Sequence, residues 1–560
     1  MAQQFKKVLC LVLVVFMLVG CTPTSTSNPG PTEPALTDME LLEQRLAQYA
    51  QLGTSPDDNY RVWYEILLYS FCDSDGDGIG DFQGAISKLD YLQGLGINGI
   101  WLMPIHPSDT HHKYNVNDYY DIDPTYGTMA DFEQFISECD KRGIKVIIDL
   151  VVNHSGSQNP WFLQACEYVR SLKAYEEPDP AECKYVEYYN FSREYKSGYR
   201  AVPGAKNFYY ECQFSDTMPD LNWGCQAMRE ELREVMEFWL NKGVAGFRVD
   251  AAKEFYTGSI LKNAEVLNWL QTTATSIKED AYMVAEAWDG SELTIAEYYE
   301  SDMVSIFNYP YGNHSGKLTK TVNARGNAAM ITKWATWLEN CHKRYAEVNP
   351  DYIDAPFLSN HDVGRIYDFV NGDILRVKMA SAMNLFMSGS AFIYYGEEIG
   401  MPGIDARTTE RDDESQRAPM YWYEKRNNGT TTPPQGCILP ESYPFGSVEE
   451  QMDDASSVYN YYRELIAIRQ AMPVISHGYI TAETALNVGC VSAMRKTWND
   501  QECIILLNID PNEDGTKVDL SAYADWNMVA TLSANGEPVV LDGTTLNMPA
   551  YGIAILVPNN

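Results

Sequence analysis

Carboxylates, two histidines and an arginine stand at the ends of four short apolar runs. These are Asp149-Leu-Val-Val-Asn153-His154, Gly246-Phe-Arg248-Val-Asp250-Ala-Ala-Lys253, Ala285-Glu286-Ala-Trp288 and Phe357-Leu-Ser-Asn360-His361-Asp362. An apolar run that ends in polar residues is the pattern of a buried parallel strand whose C-terminal end carries chemistry. Arg248 and Asp250 are two apart, so they share a face, and a cation beside a carboxylate keeps it ionised. An ionised, oriented Asp250 is a candidate nucleophile. Glu286 follows an apolar strand and sits beside Trp288, and a less polar setting raises a carboxyl pKa, which suits a general acid. His154 and His361 can donate to hydroxyls, and Asp362 supplies a third acid. Two carboxylates in unlike settings are the minimum for glycoside hydrolysis; in the retaining form they stand about 5–5.5 Å apart and one becomes glycosylated. A buried ion-pair network would explain one Arg-x-Asp, but not four such segments in one chain.

The elements that must position these groups alternate. Strands are predicted at Val62–Phe71, Ile97–Pro104, Val146–Val152, Gly246–Val249, Met283–Ala287, Ser305–Phe307, Phe357–Ser359 and Ala391–Tyr395. Helices are predicted over Phe82–Leu95 and Met129–Arg142. Eight parallel strands with helices between them predict an α/β fold, a closed (β/α)8 TIM barrel with its site at the C-terminal strand ends. About seventy aromatic-rich residues after His154 break the alternation and read as an insertion after strand three. Past Ile475, short strands separated by Asn, Asp and Gly turns predict an antiparallel β-sandwich. The expected divisions are a signal at 1–20, a tether and short helix at 21–59, barrel at 60–154, insertion at 155–222, barrel again at 223–474 and sandwich at 475–560.

The chain has 560 residues and a formal charge of −35, which repels phosphate backbones and argues against a nucleic-acid partner. Lys6, Lys7 and an apolar stretch from Val8 to Val19 form a processing signal too short to span a membrane as a mature helix. Thr22 to Pro34 is rich in Thr, Ser and Pro, as a solvated tether is. No cysteine lies in a Cys-x-x-Cys pair, so no zinc or redox site is indicated; Cys166, Cys183, Cys212 and Cys225 cluster where export would permit disulfides, with pairing left open. Asp73-x-Asp75-x-Asp77-Gly-Ile79-Gly-Asp81 sets oxygens at alternate positions of a Gly-rich loop, as Ca2+ requires. The twelfth position of an EF-hand would be Gly84, which carries no ligand.

From about Arg61 to the C-terminus the four segments resemble, in order, the conserved regions of the α-amylase family of retaining glycoside hydrolases. Met218-Pro-Asp-Leu-Asn222 is similar to the branch between oligo-1,6-glucosidases and neopullulanases. The resemblance implies Asp250 as nucleophile, Glu286 as acid/base and Asp362 as the acid that holds the distorted sugar. Arg248 would partner Asp250, while Asp149, His154 and His361 would contact sugar hydroxyls. Tyr114 would stack on a sugar and Lys253 would meet the sugar past the cleaved bond. A structural calcium is implied at Asp73, Asp75, Asp77, Ile79 and Asp81. The family's other calcium is held by Asn, Asp and His, where this chain has Asn153, Asn222 and Glu254. Leu18-Val-Gly-Cys21 resembles the bacterial lipobox, which implies lipidation at Cys21 and a lipoprotein exported to the cell surface or membrane. The expectation is a monomeric, endo-acting enzyme that hydrolyses α-1,4 bonds of an α-glucan. The rivals are an α-glucosidase, oligo-1,6-glucosidase or transglycosylase of the same fold, and a non-catalytic starch-binding lipoprotein. Small, unbranched Ala251 after the nucleophile favours α-1,4 bonds, and Asn115 lacks the charge by which exo-acting relatives grip a terminal glucose.

Overall fold

Val62-Trp-Tyr-Glu-Ile66 is buried at every residue, and most of the strands that follow are buried likewise, which is the condition for a parallel sheet covered by helices. The computed structural model describes residues 36–559 apart from 174, 405–412, 426–428 and 513. Its central sheet contains, in chain order, Val62–Ile66, Gly99–Leu102, Lys145–Leu150, Gly246–Val249, Tyr282–Ala285, Ser305–Phe307, Ile353–Ala355 and Ala391–Tyr394. The first seven pair in parallel with their sequence neighbours, and the last pairs with the first. Hydrogen bonds from Ser390 to the Asp354 carbonyl (2.7 Å) and from Phe392 to the Pro356 carbonyl (2.9 Å) join strands seven and eight, so the sheet closes into a barrel. Trp63, Trp101, Ile147, Tyr282, Phe307 and Phe392 fill its interior.

Strand seven lies at Ile353–Ala355, four residues before the predicted Phe357–Ser359. Both stretches are short and mostly apolar, and Asp354 disguises the true one. Phe357 retains a single parallel bridge to Phe392, and the segment after it becomes the loop that carries Asn360, His361 and Asp362. The predicted helix over Phe82–Leu95 is two helices, Phe82–Ser87 and Leu89–Leu95, because Lys88 leaves helical geometry at φ −104°, ψ 1°. Met129–Lys141 matches its prediction; Thr128 and Asp131 form a capping box, and Phe132, Phe135 and Cys139 face the sheet.

Residues after His154 form the helix Pro160–Ser171, capped by Asn159 with Pro160 in its first turn, and a small antiparallel sheet of Phe191–Ser192, Tyr199–Ala201 and Tyr209–Glu211. At the C-terminal end a five-stranded and a three-stranded antiparallel sheet enclose Val491, Ile504, Leu506, Leu546 and Leu556, a β-sandwich core. The helix Asp38–Tyr49 packs on this side of the molecule, its Arg45 bound to Glu464 at 2.7 Å. All ten cysteines among the described residues are free thiols, so the cluster at Cys166, Cys183, Cys212 and Cys225 contains no disulfide. The signal segment and Cys21 lie outside the described residues.

Candidate active site

In the barrel, Asp149 of strand three lies in register with Arg248 of strand four. Both point inward, because Ile147 two residues earlier is in the interior. Gly246, which starts strand four at φ +154°, permits the close approach: a Cβ there would meet the Tyr282 carbonyl oxygen at 1.8 Å. The buried Arg248 guanidinium then holds three carboxylates. Its Nη1 is 2.5 Å from Asp149 Oδ1 and 2.6 Å from Asp250 Oδ1, and its Nη2 is 2.8 Å from Glu286 Oε1. Glu286 Oε2 accepts the Ala251 backbone N–H at 3.1 Å. Ala251 has a left-handed φ of 46°, a costly conformation for a residue with a Cβ, and it turns that N–H toward the carboxylate.

Across the cleft, His361 Nδ1 is 2.5 Å from Glu65 Oε1 and its Nε2 is 3.0 Å from Asp362 Oδ2. The Tyr114 hydroxyl lies 2.7 Å from the same Nε2, with the two rings stacked at 5.5 Å. Arg417 Nη2 reaches Asp362 Oδ1 at 2.8 Å. These groups sit around a cleft of about 410 Å³. Tyr114, His154, Asp250, Glu286 and Asp362 line it, together with His112, Phe214, Met218, Trp288, Glu414 and Arg417. Asp149, Arg248 and His361 are 1 % exposed or less, and Asp149 and His361 bond to the lining groups Tyr114 and Asp362. Lys253 is half-exposed at the rim and donates to the Trp288 carbonyl at 3.0 Å.

The electrostatics separate the acids. Burial raises the Glu286 carboxyl above its ordinary value against the pull of Arg248, and the charges of Asp250 and Asp362 add to the rise. Burial likewise pushes Asp149 up to about 7. Asp362 moves the other way: despite its burial, His361 and Arg417 hold it well below the usual carboxylate range. His361, against the effect of burial, is raised to about 10 by Asp362 and Glu65 and is an imidazolium at neutral pH. Burial lowers His154, whose Nε2 has no partner among the described residues while the ring lines the cleft. Glu286 is therefore favoured in its protonated form, as a general acid at an acetal needs, while Asp362 beside it is held as a carboxylate.

The Asp-rich loop lies at the surface after strand one. Carboxylate oxygens of Asp73, Asp75 and Asp81 come within 4.8 Å of one another, a hard oxygen donor set that fits Ca2+. Asp77 is not part of this group. It is exposed, and its Oδ1 accepts the Ile79 N–H at 2.7 Å. Asp81 also caps the helix Phe82–Ser87 through the Gly84 N–H.

Several site residues escaped the sequence reading. Glu65 had a visible signal: it is the one acid in an otherwise apolar buried strand. Trp101, whose Nε1 donates to Asp149 at 2.9 Å, read simply as core. Tyr309 carried no signal, because its bond to Glu286 depends on the register of the neighbouring strands five and six. Phe214, 52 % exposed at the cleft edge and 5.5 Å from the His154 ring, sat in a segment without periodicity.

Comparison with known proteins agrees with this geometry. The sequence profile described as "Alpha amylase, catalytic domain" matches residues 65–478. "Alpha-amylase 3" of Dictyoglomus thermophilum is 39 % identical over 427 residues, covering 75 % of this chain and 79 % of that protein. "Oligo-1,6-glucosidase" of Parageobacillus thermoglucosidasius is 30 % identical over 504 residues, covering 75 % and 85 %. Among solved structures, Eubacterium rectale Amy13B superposes with a TM-score of 0.85 at 40 % identity, covering 92 % of this chain and 98 % of that one. With the catalytic profile spanning the barrel and the buried arginine–carboxylate cluster at its mouth, the chain belongs to the α-amylase family of glycoside hydrolases.

Proposed function

We propose that this enzyme is a retaining, endo-acting α-amylase that cuts α-1,4 bonds in starch or maltodextrins. The observation that carries the reading is the single buried Arg248 gripping Asp250 and Glu286 together, with burial raising Glu286. Asp250 attacks the anomeric carbon while Glu286 gives its proton to the glycosidic oxygen. The sugar chain past the cleaved bond leaves as an alcohol, and the remaining part is an ester on Asp250. Glu286, now a carboxylate, takes a proton from water as that water attacks the same carbon, and Asp250 is released. The ionised Asp362 holds hydroxyls of the distorted sugar and Tyr114 stacks on its ring. His154 directs its unpartnered Nε2 at a hydroxyl, and Arg248 holds the Asp250 carboxylate in place through Nη1 at 2.6 Å. Asp149 and His361 act by orienting Arg248 and Asp362. Lys253 meets the sugar past the cleavage point.

Three features favour α-1,4 endo action: small Ala251 beside the nucleophile, neutral Asn115, and the name "Alpha-amylase 3" of the 39 % identical relative. The names "Glucan 1,6-alpha-glucosidase" and "Oligo-1,6-glucosidase" among relatives at 31 % and 30 % identity support an exo-acting α-1,6 enzyme as the second reading. Calcium held by Asp73, Asp75 and Asp81 would be structural, tying the loop after strand one. Lipidation at Cys21 would tether the enzyme to a bacterial membrane through the Thr/Ser/Pro-rich segment.

The test is product analysis. A ladder of oligosaccharides from amylose, with maltotetraose cut much faster than panose, is expected; glucose alone, or equal rates on the two, overturns the endo α-1,4 reading. Asp250→Asn should lose at least about 10³-fold in kcat while amylose binding persists. Activity near the parent level would remove Asp250 from the mechanism.

A further inference from the structure

Glu286 has a hydrogen-bond partner from outside the four catalytic segments. Tyr309, two residues beyond strand six, is buried, and its hydroxyl lies 3.1 Å from Glu286 Oε1, the oxygen that also receives Arg248 Nη2. Its ring stacks on Trp288 at 5.1 Å with planes 17° apart, which fixes where the hydroxyl points. The direction of this bond is fixed as well. Asn360 Oδ1 accepts the backbone N–H groups of Asp362 and Val363, both at 2.9 Å, so the other end of its amide is the NH2 group. That NH2 lies 3.4 Å from the Tyr309 oxygen and donates to it. The phenolic proton is thereby left for Glu286. The result is a one-way chain, Asn360 to Tyr309 to Glu286, that links the loop after strand seven to the acid after strand five.

We infer that Tyr309 is a positioning residue for proton transfer by Glu286: it fixes the carboxyl so that Oε2 carries the transferable proton, and it stabilises the carboxylate that forms as the proton leaves. Oε1 already accepts from both Arg248 and Tyr309, whereas Oε2 accepts only the Ala251 N–H, so the proton resides on Oε2. The inference rests on Glu286 being the general acid. Glu286 faces Arg248 and Asp250 from strand four, His361 and Asp362 from beyond strand seven, and Tyr309 from beyond strand six. Of these, Tyr309 is the one neutral donor, and its removal leaves every charge in place.

The test compares Tyr309→Phe with the parent enzyme on maltotetraose and on an aryl α-maltoside whose nitrophenolate leaving group needs little protonation. Phenylalanine keeps the ring on Trp288, and a melting scan checks that the fold survives. Loss of one hydrogen bond to a developing charge predicts about a tenfold fall in kcat on maltotetraose. The aryl substrate should lose less than about twofold, because general-acid assistance matters little to a good leaving group. Since the missing bond favoured the ionised carboxyl, the alkaline limb of kcat should move up by about half to one pH unit. Equal losses on both substrates, or an unmoved limb, would mean that Tyr309 only packs, and would overturn the proposal. Glu286→Gln is run beside it. If that variant discriminates between the substrates and Tyr309→Phe does not, the Tyr309 proposal alone falls. If Glu286→Gln does not discriminate, the general-acid assignment falls and takes the proposal with it.

Discussion

The imidazole of His361 donates from Nδ1 to Glu65 and from Nε2 to Asp362; His361 and Glu65 are buried, and Asp362 reaches the cleft. A buried cation between two acids contributes to the fold as well as to the site. Its folded pKa of about 10 lies above the ordinary histidine value, so its stabilising effect is complete below about pH 6.5 and is lost as pH rises through about 10. His361→Gln should therefore lower the melting temperature most at about pH 6, by an amount set by breaking a buried ion pair, about 3–5 kcal/mol. The gap to the parent should narrow steadily toward pH 10. Melting curves at several pH values decide this; a gap of the same size at about pH 6 and pH 9.5 would show that the ring is neutral in the folded state. Asp362 behaves oppositely. Its depressed pKa keeps it ionised through the acid range, whereas burial favours the protonated form of Glu286, so the environment drives the two acids in opposite directions.

The element that deserves a separate test is the loop from Asp73 to Asp81. Its backbone is clasped by another segment: Asp73 N–H donates to the Gly429 carbonyl at 3.3 Å, and Thr432 N–H to the Gly78 carbonyl at 2.7 Å. Calcium at Asp73, Asp75 and Asp81 would neutralise three gathered carboxylates and hold this clasp. A ligand at one hundred times its Kd stabilises a fold by about 2.7 kcal/mol, which for a chain of this length means that EDTA should lower the melting temperature by about 2 °C. Asp75→Ala should abolish bound calcium, measured by atomic absorption, and reproduce the EDTA shift in the absence of chelator. Asp77→Ala should keep its calcium, because its carboxylate is not among the three whose oxygens all gather within 4.8 Å of one another. Equal calcium loss in both variants would contradict the geometry of the loop.

At the scale of the whole molecule, the acidic surface and the N-terminal segment concern location. If Cys21 is lipidated, the parent enzyme should sediment with membranes and Cys21→Ala should not; recovery of the parent wholly in the medium would sink the lipoprotein reading. One acyl chain holds a protein only marginally, so stable sedimentation implies more than one. Much of the architecture was already legible in the sequence. Apolar runs ending in polar residues mark strands and their chemical ends, because parallel strands are buried on both faces and a barrel exposes its site where they stop. That periodicity was enough for seven of the eight strands and for Asp250, Glu286 and Asp362 as candidates. It misjudged strand seven, where Ile353-Asp-Ala and Phe357-Leu-Ser look alike and Asp354, buried beside Asn308, makes the true strand look less apolar. The tertiary structure alone decided which acids share Arg248, that Glu65 is the second partner of His361 and that Tyr309 reaches Glu286. The physical reason is range. Side-chain alternation is local and appears in any short stretch of sequence. The contacts of Arg248 with Asp149, and of His361 with Glu65, join residues 99 and 296 positions apart, and strand register and barrel closure create them. Written in sequence, every carboxyl looks the same; only the burial and charge that closure provides separate a proton donor from an acid that stays ionised.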